Sequence, residues 1–118
     1  MRVIVAGSRG ITDYRVVEEA VRRSGFDVTE VVSGTARGVD RLGEQWALAR
    51  SVPVRRFPAD WSQGRAAGYA RNMAMVSYAH EHDGALIAVW DGVSRGTRHT
   101  IELARAAGLP VYLHLAPD

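Results

Sequence analysis

Ala85 to Trp90, A-L-I-A-V-W, is apolar at every position. A strand with one face in water alternates apolar and polar residues. A continuous run closed by Asp91-Gly92 instead fits a central parallel strand covered on both faces. Parallel neighbours cannot be joined by a tight hairpin and need long crossovers, usually helical. This stretch therefore predicts helices on both sides of a sheet.

The rest of the chain has that alternation. Arg2 to Ala6 (R-V-I-V-A) reads as a first strand, followed by a helix with apolar positions Val16, Val17, Ala20 and Val21. Thr12 or Asp13 would cap this helix, and Ser24-Gly25 would stop it. Val28 to Val32 is a second strand, and its helix runs to about Ser51. Pro53 to Phe57 is a short third strand whose proline and paired arginines place it at a sheet edge. Pro58 to Arg65 has no clear period. A third helix covers about Ala66 to His80, with Ala66, Tyr69, Ala70, Met73, Ala74 and Ser77 along one face. A fourth helix carries Ile101, Ala104 and Ala107, and Val111 to Leu115 is the last strand. The expected fold is α/β: one Rossmann-like, doubly wound parallel sheet of about five strands in the order 3-2-1-4-5, a single domain over residues 1–118.

Ligands of such sheets bind beyond the carboxyl ends of the strands, where strand order reverses, here between the first and fourth strands. Three glycine-containing, arginine-bearing loops fall at that end. They are Gly7–Gly10 (G-S-R-G), Ser33–Asp40 (S-G-T-A-R-G-V-D) and Asp91–Thr97 (D-G-V-S-R-G-T). Small residues ahead of a helix let backbone N–H groups approach an anion. One such loop alone would equally be an ordinary strand-to-helix turn; three on one rim point to a phosphate and ribose site.

Composition narrows the chemistry. The 118 residues contain no cysteine, which removes disulfides, thiol nucleophiles and thiolate metal sites. All fifteen basic residues are arginine, so a P-loop lysine, a Schiff base and a lysine general base are excluded. Codon bias in a GC-rich genome is the plainer cause of that preference. A net charge of +2 argues against extended duplex binding but not against a local basic groove. No apolar run approaches the roughly 20 residues of a membrane span, and M-R-V-I-V-A-G is too short for a signal peptide, so a cytoplasmic location is expected. His80 and His82 point different ways near a helix end, and no cluster has metal-ligand spacing.

The three loops, with R-N-M-A-M in the third helix, resemble the SLOG superfamily, the Rossmann-like group that includes the Lonely Guy phosphoribohydrolases and DNA-processing protein A. The resemblance is closest to its small, stand-alone YspA-type branch, whose members are thought to bind nucleotide-derived ligands. Lonely Guy enzymes carry P-G-G-x-G-T-x-x-E, whose glycines hold phosphate and whose glutamate assists N-glycosidic cleavage. Gly96 and Thr97 match, but Thr100 occupies the glutamate position, and Glu102 lies roughly 200° farther round the helix. Arg71 matches the helical arginine of those enzymes. The catalytic pair is half present, and an enzyme of this kind would draw its carboxylate from Asp91 or Asp40. Against DNA-processing protein A the second loop matches, but stacked aromatics interleaved with basic residues reduce to Trp61 and Arg65.

The resemblance implies binding or sensing of a nucleotide or nucleotide-derived ligand, ADP-ribose-like or a nucleoside phosphate, with no resident cofactor required. The alternatives are phosphoribohydrolase-type cleavage and single-stranded nucleic-acid binding. The expected contacts are Gly7, Ser8 and Arg9; Ser33, Gly34, Thr35, Arg37, Gly38 and Asp40; Arg71 and Asn72; and Asp91, Gly92, Ser94, Gly96 and Thr97. Arg71 and Asp91 would be the catalytic pair if the chain is an enzyme. Plainer readings stand beside these: Arg9 and Arg37 as solvated surface arginines, Asp40 as a carboxylate favoured by a helix dipole, Asn72 as a bond to loop backbone. Trp61 would stack on a base or sit at a subunit contact, while Trp46 and Trp90 belong to the core by pattern. Related folds pair through helices, so a homodimer is expected.

Overall fold

The computed structural model describes residues 1–116; the last two residues of the expected domain, Pro117 and Asp118, lie outside the described residues. Five strands, β1 (Arg2–Gly7), β2 (Glu30–Ser33), β3 (Val54–Arg56), β4 (Gly84–Trp90) and β5 (Val111–Leu115), form one parallel sheet in the order β3-β2-β1-β4-β5. Four helices connect them: α1 (Tyr14–Ser24), α2 (Val39–Ala49), α3 (Ala66–Glu81) and α4 (Arg95–Ala106). This is the Rossmann-like arrangement expected from the alternation. β1 pairs with β2 on one side (Val3 opposite Val31) and with β4 on the other (Val3 opposite Ala85), so the order reverses at β1.

Side chains on successive strand residues point to opposite faces, and this sorts the apolar residues into two cores. Val3, Val5, Val31, Ile87 and Val89 meet Val17 and Val21 of α1 and Val39 and Trp46 of α2. Ile4, Val32, Leu86 and Ala88 meet Met75, Val76 and Ala79 of α3 and Ile101 and Ala104 of α4. Each face of β4 is thus covered, which explains its lack of polar positions.

Local signals hold at most ends. Asp13, not Thr12, caps α1 by accepting the Arg15 backbone N–H at 3.0 Å. β3 is an exposed edge, with Arg55 and Arg56 both in solvent. Two expectations need correction. The face of α3 defined by Ala66, Tyr69, Ala70, Met73, Ala74 and Ser77 points to solvent, while Ala67, Asn72, Met75, Val76 and Ala79 are buried. The helix is apolar or small on both sides, so periodicity does not fix its rotation; packing on β1 and β4 does. Trp90 is only partly buried, because it ends β4 and its indole N–H reaches the Ser94 carbonyl at 3.0 Å.

Candidate functional site

The loops after β1, β2 and β4 are stitched together where strand order reverses. Ser8 is the stitch between the outer two. It is buried, its Oγ accepts the Asp91 backbone N–H at 3.0 Å, and its carbonyl accepts from Ile11 and Val39. Gly38 permits the second loop to press against the first. A Cβ there would lie 2.5 Å from the Ser8 carbonyl oxygen, and its φ of +79° is one that other residues adopt at a cost.

The second loop folds around its own carboxylate. Asp40, in the first turn of α2, accepts the Ala36 backbone N–H at 3.1 Å. Ser33 accepts the Thr35 N–H at 3.1 Å and donates to Glu44 at 2.6 Å. Glu44, one turn beyond Asp40, also receives Arg56 at 2.9 Å. From the opposite layer α3 sends in Arg71, whose Nη1 donates to the Gly34 carbonyl and whose Nε donates to the Asn72 side-chain oxygen at 2.9 Å. The Asn72 amide reaches the Gly96 carbonyl at 3.4 Å and His99 Nδ1 at 3.2 Å. Asn72 therefore ties α3 to the start of α4.

Between these elements lies a cleft with about 70 Å³ of free space, small beside the roughly 300–1,000 Å³ of sites that enclose a whole drug-sized ligand. Arg71 faces it with no carboxylate within salt-bridge distance among the described residues. The family described as the YspA, cpYpsA-related SLOG family matches residues 1–64. The chain belongs to this SLOG family. The matched span contains the first two loops and ends before Arg71 and Gly96. Gene 61 protein of Mycobacterium phage D29 is 35% identical over 120 residues, covering 93% of each chain. No solved structure matches.

In this SLOG chain the cleft is bordered by Gly7, Arg9, Asp40, Arg71, Asn72, Ser94, Gly96 and Thr97 among the residues expected from sequence. Ser33, Gly34 and Thr35 stand behind that lining and hold Glu44, Arg71 and Arg41 respectively. Ser8 and Gly38 hold the loops together. Arg37 is exposed outside the lining. Asp91 and Gly92 are outside the lining: Asp91 Oδ1 accepts the Val93 and Ser94 N–H groups at 2.8 Å each and so shapes the turn into α4, and Gly92 lies within that turn. Thr100 is buried in the cleft wall, and its hydroxyl donates to the Gly96 carbonyl at 3.1 Å.

Burial dominates the electrostatics. It pushes Asp40 up to about 6, against the lowering effects of the Ala36 N–H and the Arg71 charge, with Glu44 adding to the rise. Burial likewise lowers Arg71 from its ordinary value, opposed by Asp40 and reinforced by Arg9. Asp91 is held below the usual range by its two backbone donors. The cleft thus combines a guanidinium that forms no salt bridge among the described residues with a nearby carboxyl that burial raises to about 6.

Sequence reasoning passed over Glu44 and the lining residues Ala6, Ala36 and Met75. Glu44 was discoverable: it follows Asp40 by four positions and so shares its helix face. The three apolar residues carry no chemical signal of their own.

Proposed function

We propose that this chain binds a nucleotide or nucleotide-derived ligand in the cleft at the tips of β1, β2 and β4. The observation that carries the reading is Arg71. A partly buried guanidinium held by Gly34 and Asn72, with Asp40 in the same cleft but no carboxylate of the described residues within salt-bridge distance, is suited to receive an anion. Membership of the SLOG family favours nucleotides over other anions. Phosphate would lie against the Gly7–Gly10 loop and Gly96–Thr97, with ribose beside Asp40. The deciding experiment is mass spectrometry of a nucleotide panel retained by the protein, with nucleoside monophosphates, ADP-ribose and cyclic ADP-ribose included. Intact ligand at stoichiometric amounts is expected, and Arg71→Ala should weaken it by about tenfold to a hundredfold, the loss of one charge-assisted contact. Retention of no nucleotide would overturn the reading.

A second reading, phosphoribohydrolase-type cleavage, is favoured by one observation: Asp40 and Arg71 border the same cleft, where burial raises the Asp40 carboxyl to about 6. Asp40 as general base would take a proton from water attacking the anomeric carbon while the base departs with the bonding pair. Thr100, at the place of the Lonely Guy glutamate, has no carboxylate and spends its hydroxyl on the helix backbone. Release of free base with ribose 5-phosphate from the same panel would establish this reading. We also propose a homodimer through α3, whose Ala66, Ala70, Ala74 and Ser77 line an exposed face with Met73, itself 58% exposed.

A further inference from the structure

Beside the cleft lies a second, more open hollow of about 290 Å³ that shares Arg9, Arg71, Asn72 and Gly96 with it. Trp61, Arg65, Gly68, Tyr69 and Arg95 complete its walls, and no acidic residue among the described residues borders it. Trp61 occupies a short 3-10 turn between β3 and α3 and is 56% exposed. Its ring is seated, however: Cη2 and Cζ3 lie 3.2 and 3.5 Å from where a side chain at Gly68 would begin, and the Arg9 guanidinium is 5.9 Å from its centroid. Across the hollow, Tyr69 is braced edge-on against His99 with centroids 4.6 Å apart. Arg9, Arg65 and Arg95 form no ion pair among the described residues.

Two observations define what would fill this space. Exposed aromatic surface held on a glycine offers a flat apolar platform, which a nucleobase matches by stacking whatever its sequence identity. Three guanidiniums that form no ion pair among the described residues, added to Arg71, exceed the charge that one phosphate would neutralise. We propose that the outer hollow is a second subsite, taking the base of the ligand on Trp61 and a further phosphoryl group on Arg65 and Arg95. The ligand class is then a nucleotide with at least two phosphoryl groups. This inference rests on the proposal that the inner cleft takes phosphate and ribose.

The test is calorimetry with ribose 5-phosphate, AMP, ADP and a 12-nucleotide oligothymidylate on wild type, Arg71→Ala, Trp61→Ala, Trp61→Tyr and the Arg65→Ala/Arg95→Ala pair. ADP should bind about tenfold or more tightly than AMP, and the double arginine variant should erase that preference while leaving ribose 5-phosphate binding unchanged. Trp61→Ala should weaken AMP and ADP alike by about tenfold and spare ribose 5-phosphate, with Trp61→Tyr restoring most of the loss. Equal binding of AMP and ADP, untouched by the outer substitutions but lost in Arg71→Ala, would overturn the subsite and leave the inner cleft standing. Absence of binding by all three small probes would overturn both. Tighter, steeply salt-dependent binding of the oligonucleotide would overturn the subsite in favour of a single-strand groove.

Discussion

Arg71 Nη1 and Asp40 Oδ2 each stand 2.8 Å from the point where a side chain at Gly34 would begin. The absent Cβ is the space in which a guanidinium from one layer and a carboxyl from the other come together beneath the cleft. Glycine is needed here to admit two side chains, a different demand from letting backbone approach a ligand.

Gly34→Ala should therefore damage binding more than folding. The displaced atoms are side-chain ends that can swing away, so the melting temperature should change little. AMP affinity should fall about tenfold or more as Arg71 leaves the Gly34 carbonyl. Calorimetry beside a thermal melt checks this, and an unchanged affinity would show that Arg71 does not act on the ligand from this position.

Asp40 makes a pH prediction. Its folded value, raised to about 6 from an ordinary 3.8, exceeds the unfolded one, so the native state holds the proton more tightly. Its contribution to stability is then full below about pH 4 and is lost as pH rises through 6, by about 3 kcal/mol in all. Asp40→Asn keeps an oxygen for the Ala36 N–H and removes the titration. Denaturant melts from pH 4 to pH 7 should show wild type losing stability relative to this variant; parallel curves would refute the assignment.

Asp91 separates structure from catalysis. Its two accepted N–H groups organise the turn before α4, so Asp91→Ala should lower the melting temperature by roughly a few degrees. If the chain cleaves nucleotides with Asp40 as the base, turnover by folded Asp91→Ala protein should stay within about tenfold of wild type, whereas Asp40→Asn should reduce it by about a hundredfold or more. Release of free base, followed by chromatography, measures both.

The exposed row on α3 bears on assembly. Ala70→Glu with Ala74→Glu would set charge on the face proposed to pair with a second copy. Light scattering should report a dimer for wild type and a monomer for the variant, with unchanged circular dichroism. A monomeric wild type would end this part of the proposal.

How much of this was legible in the sequence differs by element. The parallel sheet and its crossovers followed from A-L-I-A-V-W and the alternation around it, because strand period and crossover length are local properties; the strand order and cleft position were expected from the usual arrangement of such sheets, which the structure bears out for the order. The loops were legible as loops, but the role of their parts was not. S-G-T-A-R-G-V-D reads as a cradle of free N–H groups, yet Ala36 donates to Asp40 and Thr35 to Ser33. Which donors turn inward depends on where α2 carries Asp40 once Val39 is packed against the sheet.

The succession of strands and helices, the burial of β4 on both faces and the three loops that meet at the reversal are written locally along the chain. Tertiary structure decided the rotation of α3, and with it the placement of Arg71 and Asn72 in the cleft and of Tyr69 and Met73 outside the core. The physical reason is that α3 is nearly uniform in polarity around its axis, so its own residues do not choose an inner face. Contact with Ile4, Ala6, Leu86 and Ala88, made by Met75, Val76 and Ala79, makes that choice.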